Sequence, residues 1–190
     1  MSKKISEMSL EELWHLFPIY LTEHNENWAA WFADEEKHLK EPLPADWIKQ
    51  ISHIGSTAVK GIWAKPIIDI LVEVRPECDL QPVKPILEKA GYLCMSESAE
   101  RISFNKGYTE NGFAKRVFHL HLRKAGDNDE LYFQDYLNAH PDVAKKYEKL
   151  KLRLWNQYEH NRDGYTERKT AFVREHTHKA KIEFENRYVL

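Results

Sequence analysis

Only two cysteines, Cys78 and Cys94, occur in the 190 residues, which excludes a disulfide framework and a four-cysteine zinc site within one chain and suits a reducing compartment. Neither sign of charge is in excess. Lys and Arg number 28 against 30 Asp and Glu, a formal net charge of −2 with neutral histidine, so nucleic-acid binding by bulk charge is not expected. No apolar run of about 18 residues, the length that spans a bilayer, occurs anywhere, and Ser6 and Glu7 fall where the apolar core of a signal peptide would follow Lys3 and Lys4. The chain is therefore expected to be cytoplasmic and free of membranes. Repeats and low-complexity tracts are also missing. What remains, 42% hydrophobic and 31% charged residues, suits one compact domain over residues 1–190 with a real core, a monomer by default.

Periodicity divides the chain into a sheet-containing core over about 17–125 and helices over about 129–190. Ser9 with Glu12 three residues on forms a capping-box pattern. Trp28, Trp31, Phe32 and Glu35 share one stripe of a helix that ends before Pro42, and such a stripe reads as core. Trp47 to Ile54 approaches a strand. Ile67 to Val74, β-branched and bounded by Pro66 and Pro76, reads as a central strand buried on both faces. A helix from about Pro82 to Ala90 follows, then strands at Tyr92–Met95, Arg101–Lys106 and Val117–Leu122. Helices are expected at Glu130–Ala139, Pro141–Tyr158 and Thr166–Arg187. Strands in the middle and helices at the end give an α+β (mixed α/β) class with a C-terminal helical layer.

The chemistry concentrates between His53 and Ile70. Gly55-Ser56-Thr57 after a strand lets backbone N–H groups and hydroxyls approach a phosphate closely. Asp69 on the buried strand needs a partner, because an unpaired buried carboxylate is costly, and a divalent metal bridging that phosphate would be one. Lys65, held extended by Pro66, reads either as a surface connector or as a phosphate contact in the same pocket.

The segments His53–Val59 with Gly61 and Ala64–Ile70, together with His119-Leu120-His121, Phe133–Leu137, His140-Pro141, Tyr147, Lys151, Tyr165 and Lys169, resemble the GrpB-type family of the nucleotidyltransferase superfamily, over most of the chain. The resemblance implies a nucleotidyltransferase-like mixed sheet flanked by helices, and metal-dependent transfer of a nucleotidyl or phosphoryl group. It also implies a nucleotide or other phosphate-bearing small molecule as partner and a divalent metal, Mg or Mn, as cofactor. Lys151 and Lys169 match family lysines and would meet an anionic ligand; Gln134 stands where related chains carry arginine. The chain departs from the superfamily at the second acid, where Leu71 stands two residues after Asp69. Glu73 shares Asp69's face but lies about 13 Å along an extended strand.

His119 and His121, also two apart on a strand, share a face and could ligate a transition metal, Zn as the alternative, with Asp69 as third ligand and His53 nearby as ligand or base. A hydrogen-bonded polar pocket is the other reading of these side chains. Two further functions stay open: a non-catalytic nucleotide- or phosphate-binding module, or a histidine-metal hydrolase.

Overall fold

The computed structural model describes residues 5–185 and 187–188. The Met1–Lys4 stretch considered above for a leader lies outside them. Helix α1 (Leu10–Leu16) opens with the expected capping box: the Ser9 hydroxyl accepts the Glu12 N–H at 3.2 Å, and the Glu12 carboxylate accepts the Ser9 N–H at 2.6 Å. Helix α2 (Asn27–Lys40) ends ahead of Pro42, and Trp28, 1% exposed, is driven into the core with Trp31 and Phe32 packed beside it. Glu35 on the same stripe is buried too. It accepts from the Tyr92 hydroxyl at 2.9 Å and from Lys106 Nζ at 2.7 Å, which meets the cost of burying its charge.

Five strands form one mixed sheet: β1 (Ile48–Ile54), β2 (Ile68–Val74), β3 (Leu93–Glu97), β4 (Arg101–Thr109) and β5 (Gly112–Lys124), in the order β1-β2-β5-β4-β3. Only β2 and β5 run parallel. The β4–β5 hairpin is longer than Arg101–Lys106 and Val117–Leu122 suggest, because the two-residue turn Glu110-Asn111 closes it tightly and Thr109 pairs with Gly112. Asp79 accepts the Gln81 N–H at 3.1 Å ahead of a 3-10 turn (Gln81–Val83), and the helix expected from Pro82 is α3 (Lys84–Lys89).

The three C-terminal helices are α4 (Asp129–Ala139), α5 (Pro141–Tyr158) and α6 (Arg162–Glu183). Helix α6 begins four residues before Thr166 and stops short of Arg187. Asn161 is its N-cap and accepts the Gly164 N–H at 2.9 Å, so a glycine that reads as a loop residue sits inside the first turn. Among the described residues no helix is long and apolar enough to cross a membrane.

Strand alternation separates the two faces of the sheet. Ile68, Ile70, Val72 and Val74 of β2, with Phe118, Leu120 and Leu122 of β5, face α2 and α3 and form the main core. Asp69, Leu71 and Glu73, with His119, His121 and Arg123, point to the opposite face. There Leu71 packs with Ile54 of β1 and Leu131 of α4. The sheet is thus apolar toward one helical layer and polar toward the other, and the polar row starts at Asp69.

Candidate functional site

Pairing fixes the centre of the site. Asp69 stands opposite Ile54, the last residue of β1, and alongside His119 of β5. The chain leaves β1 through Gly55, whose φ of 74° is a left-handed conformation open to glycine. A Cβ at this position would collide with the Asp69 carboxylate, so the absent side chain is what lets the Gly55–Ala58 turn abut that carboxylate.

His119 Nδ1 lies 3.2 Å from Asp69 Oδ1, and His121 Nε2 lies 3.9 Å from the same oxygen. His119 Nε2 faces the Tyr108 hydroxyl at 2.8 Å and Arg162 Nη2 at 3.2 Å. A guanidinium can only donate, so Nε2 is an acceptor and the ring proton sits on Nδ1, donated to Asp69. Burial holds His119 below the usual histidine range despite the carboxylate, which agrees with a neutral ring. Burial alone would raise the Asp69 carboxyl, but its contacts with His119 and His121 prevail and hold it well below the ordinary carboxylate range.

Four basic side chains line the same pocket as this carboxylate. Lys65, Lys151, Arg162 and Lys169 line one cavity of about 170 Å³ together with Ser56, Thr57, Asp69 and His119. Lys65 Nζ and Lys169 Nζ each lie 4.4 Å from the centre of the Tyr165 ring, which therefore holds both ammonium groups by cation–π contact. Lys151, 2% exposed, donates to the Trp63 carbonyl and lies 5.0 Å from the Tyr147 ring. Burial and the neighbouring Lys169 push Lys151 down to about 7. Burial likewise brings Lys169 down to about 8, Asp69 opposing and Arg162 adding to the fall, while Lys65 is held well below the normal lysine value by burial and by Lys169 and Arg162. Such depression marks ammonium groups taken out of water, with like-charged neighbours adding to the fall. Ser56 hydrogen-bonds with Tyr147, whose hydroxyl burial pushes up to about 12.

Not every residue singled out from the sequence reaches this cavity. His53 pairs across the sheet with Ile70, on the apolar face, and its ring stacks on Phe32 at 4.9 Å. Thr57 Oγ1 donates to the Ile67 carbonyl at 3.2 Å, so His53 Nε2, 2.9 Å away, must donate to it. Burial lowers His53 to about 4 against the opposing pull of Asp69; it braces the turn as a neutral ring behind Thr57 and does not itself line the Asp69 pocket. Glu73 is enclosed elsewhere, accepting from the Gly126 N–H and from Asn128 Nδ2, both at 3.0 Å. Asp135 is paired with Arg187 at 2.7 Å.

The expected three-ligand metal site takes a different form. Asp69, His119 and His121 do come together, but with the His119 nitrogens committed to Asp69 and to Tyr108 and Arg162 and with His121 standing 3.9 Å from the carboxylate. Among the described residues no group of three or more His, Cys, Asp or Glu side chains is disposed to hold a metal ion. One carboxylate amid four cations is also the wrong electrostatic environment for a divalent ion. The residues present do not fit a two-metal centre.

Sequence reasoning missed Tyr108, Arg162, Tyr165 and Thr166 as parts of the site. Asn161, as a helix cap ahead of Arg162, was the available signal for the arginine.

The sheet order, the Gly-Ser turn and the Asp69 strand define a nucleotidyltransferase-like fold. The poly(U) polymerase Cid1, solved with magnesium and 3′-dATP, superposes with a TM-score of 0.50 at 9% identity, over 78% of this chain and 46% of that one; the likeness is one of fold. Residues 18–179 match the family described as GrpB protein, and the chain belongs to that family. The conserved protein GrpB from Enterococcus faecalis has a crystal structure that aligns with a TM-score of 0.74 and 30% identity, over 87% of this chain and 99% of that one. The glutamate-rich protein GrpB of Alkalihalophilus pseudofirmus is 39% identical over 163 residues, 83% of this chain and 92% of the relative. The protein YqkA of Bacillus subtilis is 32% identical over 177 residues, and the match spans 90% of this chain but half of YqkA.

Proposed function

We propose that this GrpB-family chain binds the phosphate of a nucleotide or another phosphate-bearing small molecule, using fixed cations where a polymerase-like site uses metals. The observation that carries the reading is the convergence of Lys65, Lys151, Arg162 and Lys169 on one small cavity with a single carboxylate. Arg162 offers a planar fork to phosphate oxygens, and Lys65 and Lys169 act as point charges steered by Tyr165. Ser56 and Thr57, on the turn after Gly55, line the same cavity, with the Thr57 hydroxyl held by His53 and the Ile67 carbonyl. Asp69 keeps His119 in one tautomer and supplies the internal counter-charge that lets so many cations share one pocket. Leu71, packed in the apolar cluster under α4, removes the second acid on which two-metal transfer depends.

A second reading, metal-dependent nucleotidyl or phosphoryl transfer with Mg or Mn, is favoured by one fact: Asp69 stays ionised at the first acid position that the superfamily resemblance implies. Titration calorimetry separates the two. Inorganic pyrophosphate and ATP are expected to bind in the presence of EDTA, and added Mg²⁺ is expected not to strengthen the interaction. Binding that requires Mg²⁺ supports transfer instead, and absence of binding under both conditions rejects the phosphate-site reading.

A further inference from the structure

A second, larger cavity opens beside the first. It measures about 670 Å³ and follows one face of α6 from Thr166 to Lys181, with Phe133 and the first turn of α4 on its other wall. Thr166 and Lys169 line both cavities. The small pocket lies below the range of about 300–1,000 Å³ that encloses whole small-molecule ligands, whereas the groove falls within it.

The groove's far end is already neutralised. Arg101 pairs with Asp127 at 2.6 Å, Arg123 with Glu130 at 2.7 Å and Lys181 with Asp129 at 2.5 Å. Arg174, midway along the groove, has no carboxylate at ion-pair distance among the described residues. It follows Lys169 by five residues, about 7.5 Å along the helix axis. Val173 and Phe133, both half-buried, supply apolar surface between them.

From these features we infer that the groove is the second half of one binding site and holds the organic part of a phosphate ester whose phosphate lies among Lys65, Arg162 and Lys169. The inference rests on the phosphate-site reading above. It adds the ligand class: a nucleoside-sized ester with a flat, partly apolar ring system. The ring lies against Val173 and Phe133, and its edge or face meets the Arg174 guanidinium, which stacks on planar groups and donates to their acceptors.

Calorimetric titration in EDTA with AMP, GMP, ribose 5-phosphate and inorganic phosphate tests this. AMP or GMP should bind at least about tenfold more tightly than inorganic phosphate, equivalent to about 1.4 kcal/mol, with ribose 5-phosphate close to phosphate. Thr170→Trp fills the groove from an exposed helical position, and Arg174→Ser removes the guanidinium midway along it. Each is expected to bring the nucleotide down toward the affinity of inorganic phosphate and to leave phosphate binding unchanged. Equal affinity of nucleotide and phosphate for the unaltered chain would overturn the groove assignment and leave the phosphate pocket standing. So would a loss in Thr170→Trp that is the same for AMP and phosphate. If none of the four probes binds, the phosphate-site reading itself falls and the groove inference falls with it.

Discussion

In Lys169→Met (K169M), phosphate affinity is expected to fall by about 10- to 100-fold while the folded protein does not lose stability at pH 7. The loss follows from removing one charge-assisted contact, worth about 1.5–3 kcal/mol to an anion in a site shielded from water. The retained stability follows from the cost of burial. Lys169 is held down to about 8 chiefly by desolvation, with Arg162 adding to it against Asp69, so the empty pocket is strained by that charge. Methionine has similar length and contacts Tyr165 without it. Calorimetry for phosphate and urea unfolding for stability read the two quantities separately. A variant that loses binding and stability together would assign Lys169 to the fold and leave the anion role unsupported.

Stability of the ligand-free protein should rise as pH goes from about 7 to 9.5. Lys151 and Lys169 titrate at about 7 and about 8 when folded, against about 10.4 in the unfolded chain. Within that window the unfolded state binds more protons, so raising pH favours folding, by up to about 1.4 kcal/mol per pH unit for each lysine. The destabilisation is fully present below the folded values and vanishes above the unfolded value. Tyr147, pushed up to about 12 by burial, reverses the trend only above about pH 10, where unfolded tyrosines ionise. Urea midpoints at pH 7, 8 and 9.5 measure the slope. Lys151→Met should remove one lysine's share of it, and saturating phosphate should flatten it by holding the lysines protonated. A flat profile for the ligand-free protein would contradict the buried-cation description.

The sequence made the apolar scaffold legible because it is governed by local pattern. Ile67–Val74 announced a central strand through β-branched residues between prolines, and Trp28, Trp31 and Phe32 announced a core stripe through helical spacing. The Asp69–His119–His121 cluster was legible as well, since i and i+2 on a strand must share a face. What the cluster does was not legible: whether two rings and a carboxylate hydrogen-bond or ligate depends on what lies beyond the second ring nitrogen. In His119 that is Tyr108, from across a hairpin, and Arg162, from a helix 43 residues further along the chain. His53 misled for a related reason. Its place in the same segment as Gly55 and Asp69 suggested a shared pocket, but strand alternation turns it to the opposite face. Tyr165 enters from the sequence as a position of the family resemblance; it is buried, and the two lysines over its ring make it part of the site. Long-range packing decides such roles, and one-dimensional spacing does not carry it.

The central claim, that fixed cations rather than metals hold a phosphate beside Asp69, is tested most directly by Asp69→Asn. Asparagine still accepts the His119 Nδ1–H, so the cluster keeps its geometry while its negative charge is lost. Phosphate titrated in EDTA at pH 6, below the folded values of about 7 and about 8, so that Lys151 and Lys169 stay protonated without the Asp69 counter-charge, should bind the variant about fivefold more tightly than the unaltered chain, near 1 kcal/mol, because the repulsion between carboxylate and phosphate is gone. Weaker binding by the variant, or binding by the unaltered chain only when Mg²⁺ is supplied, would contradict the claim and return Asp69 to the role of a metal ligand.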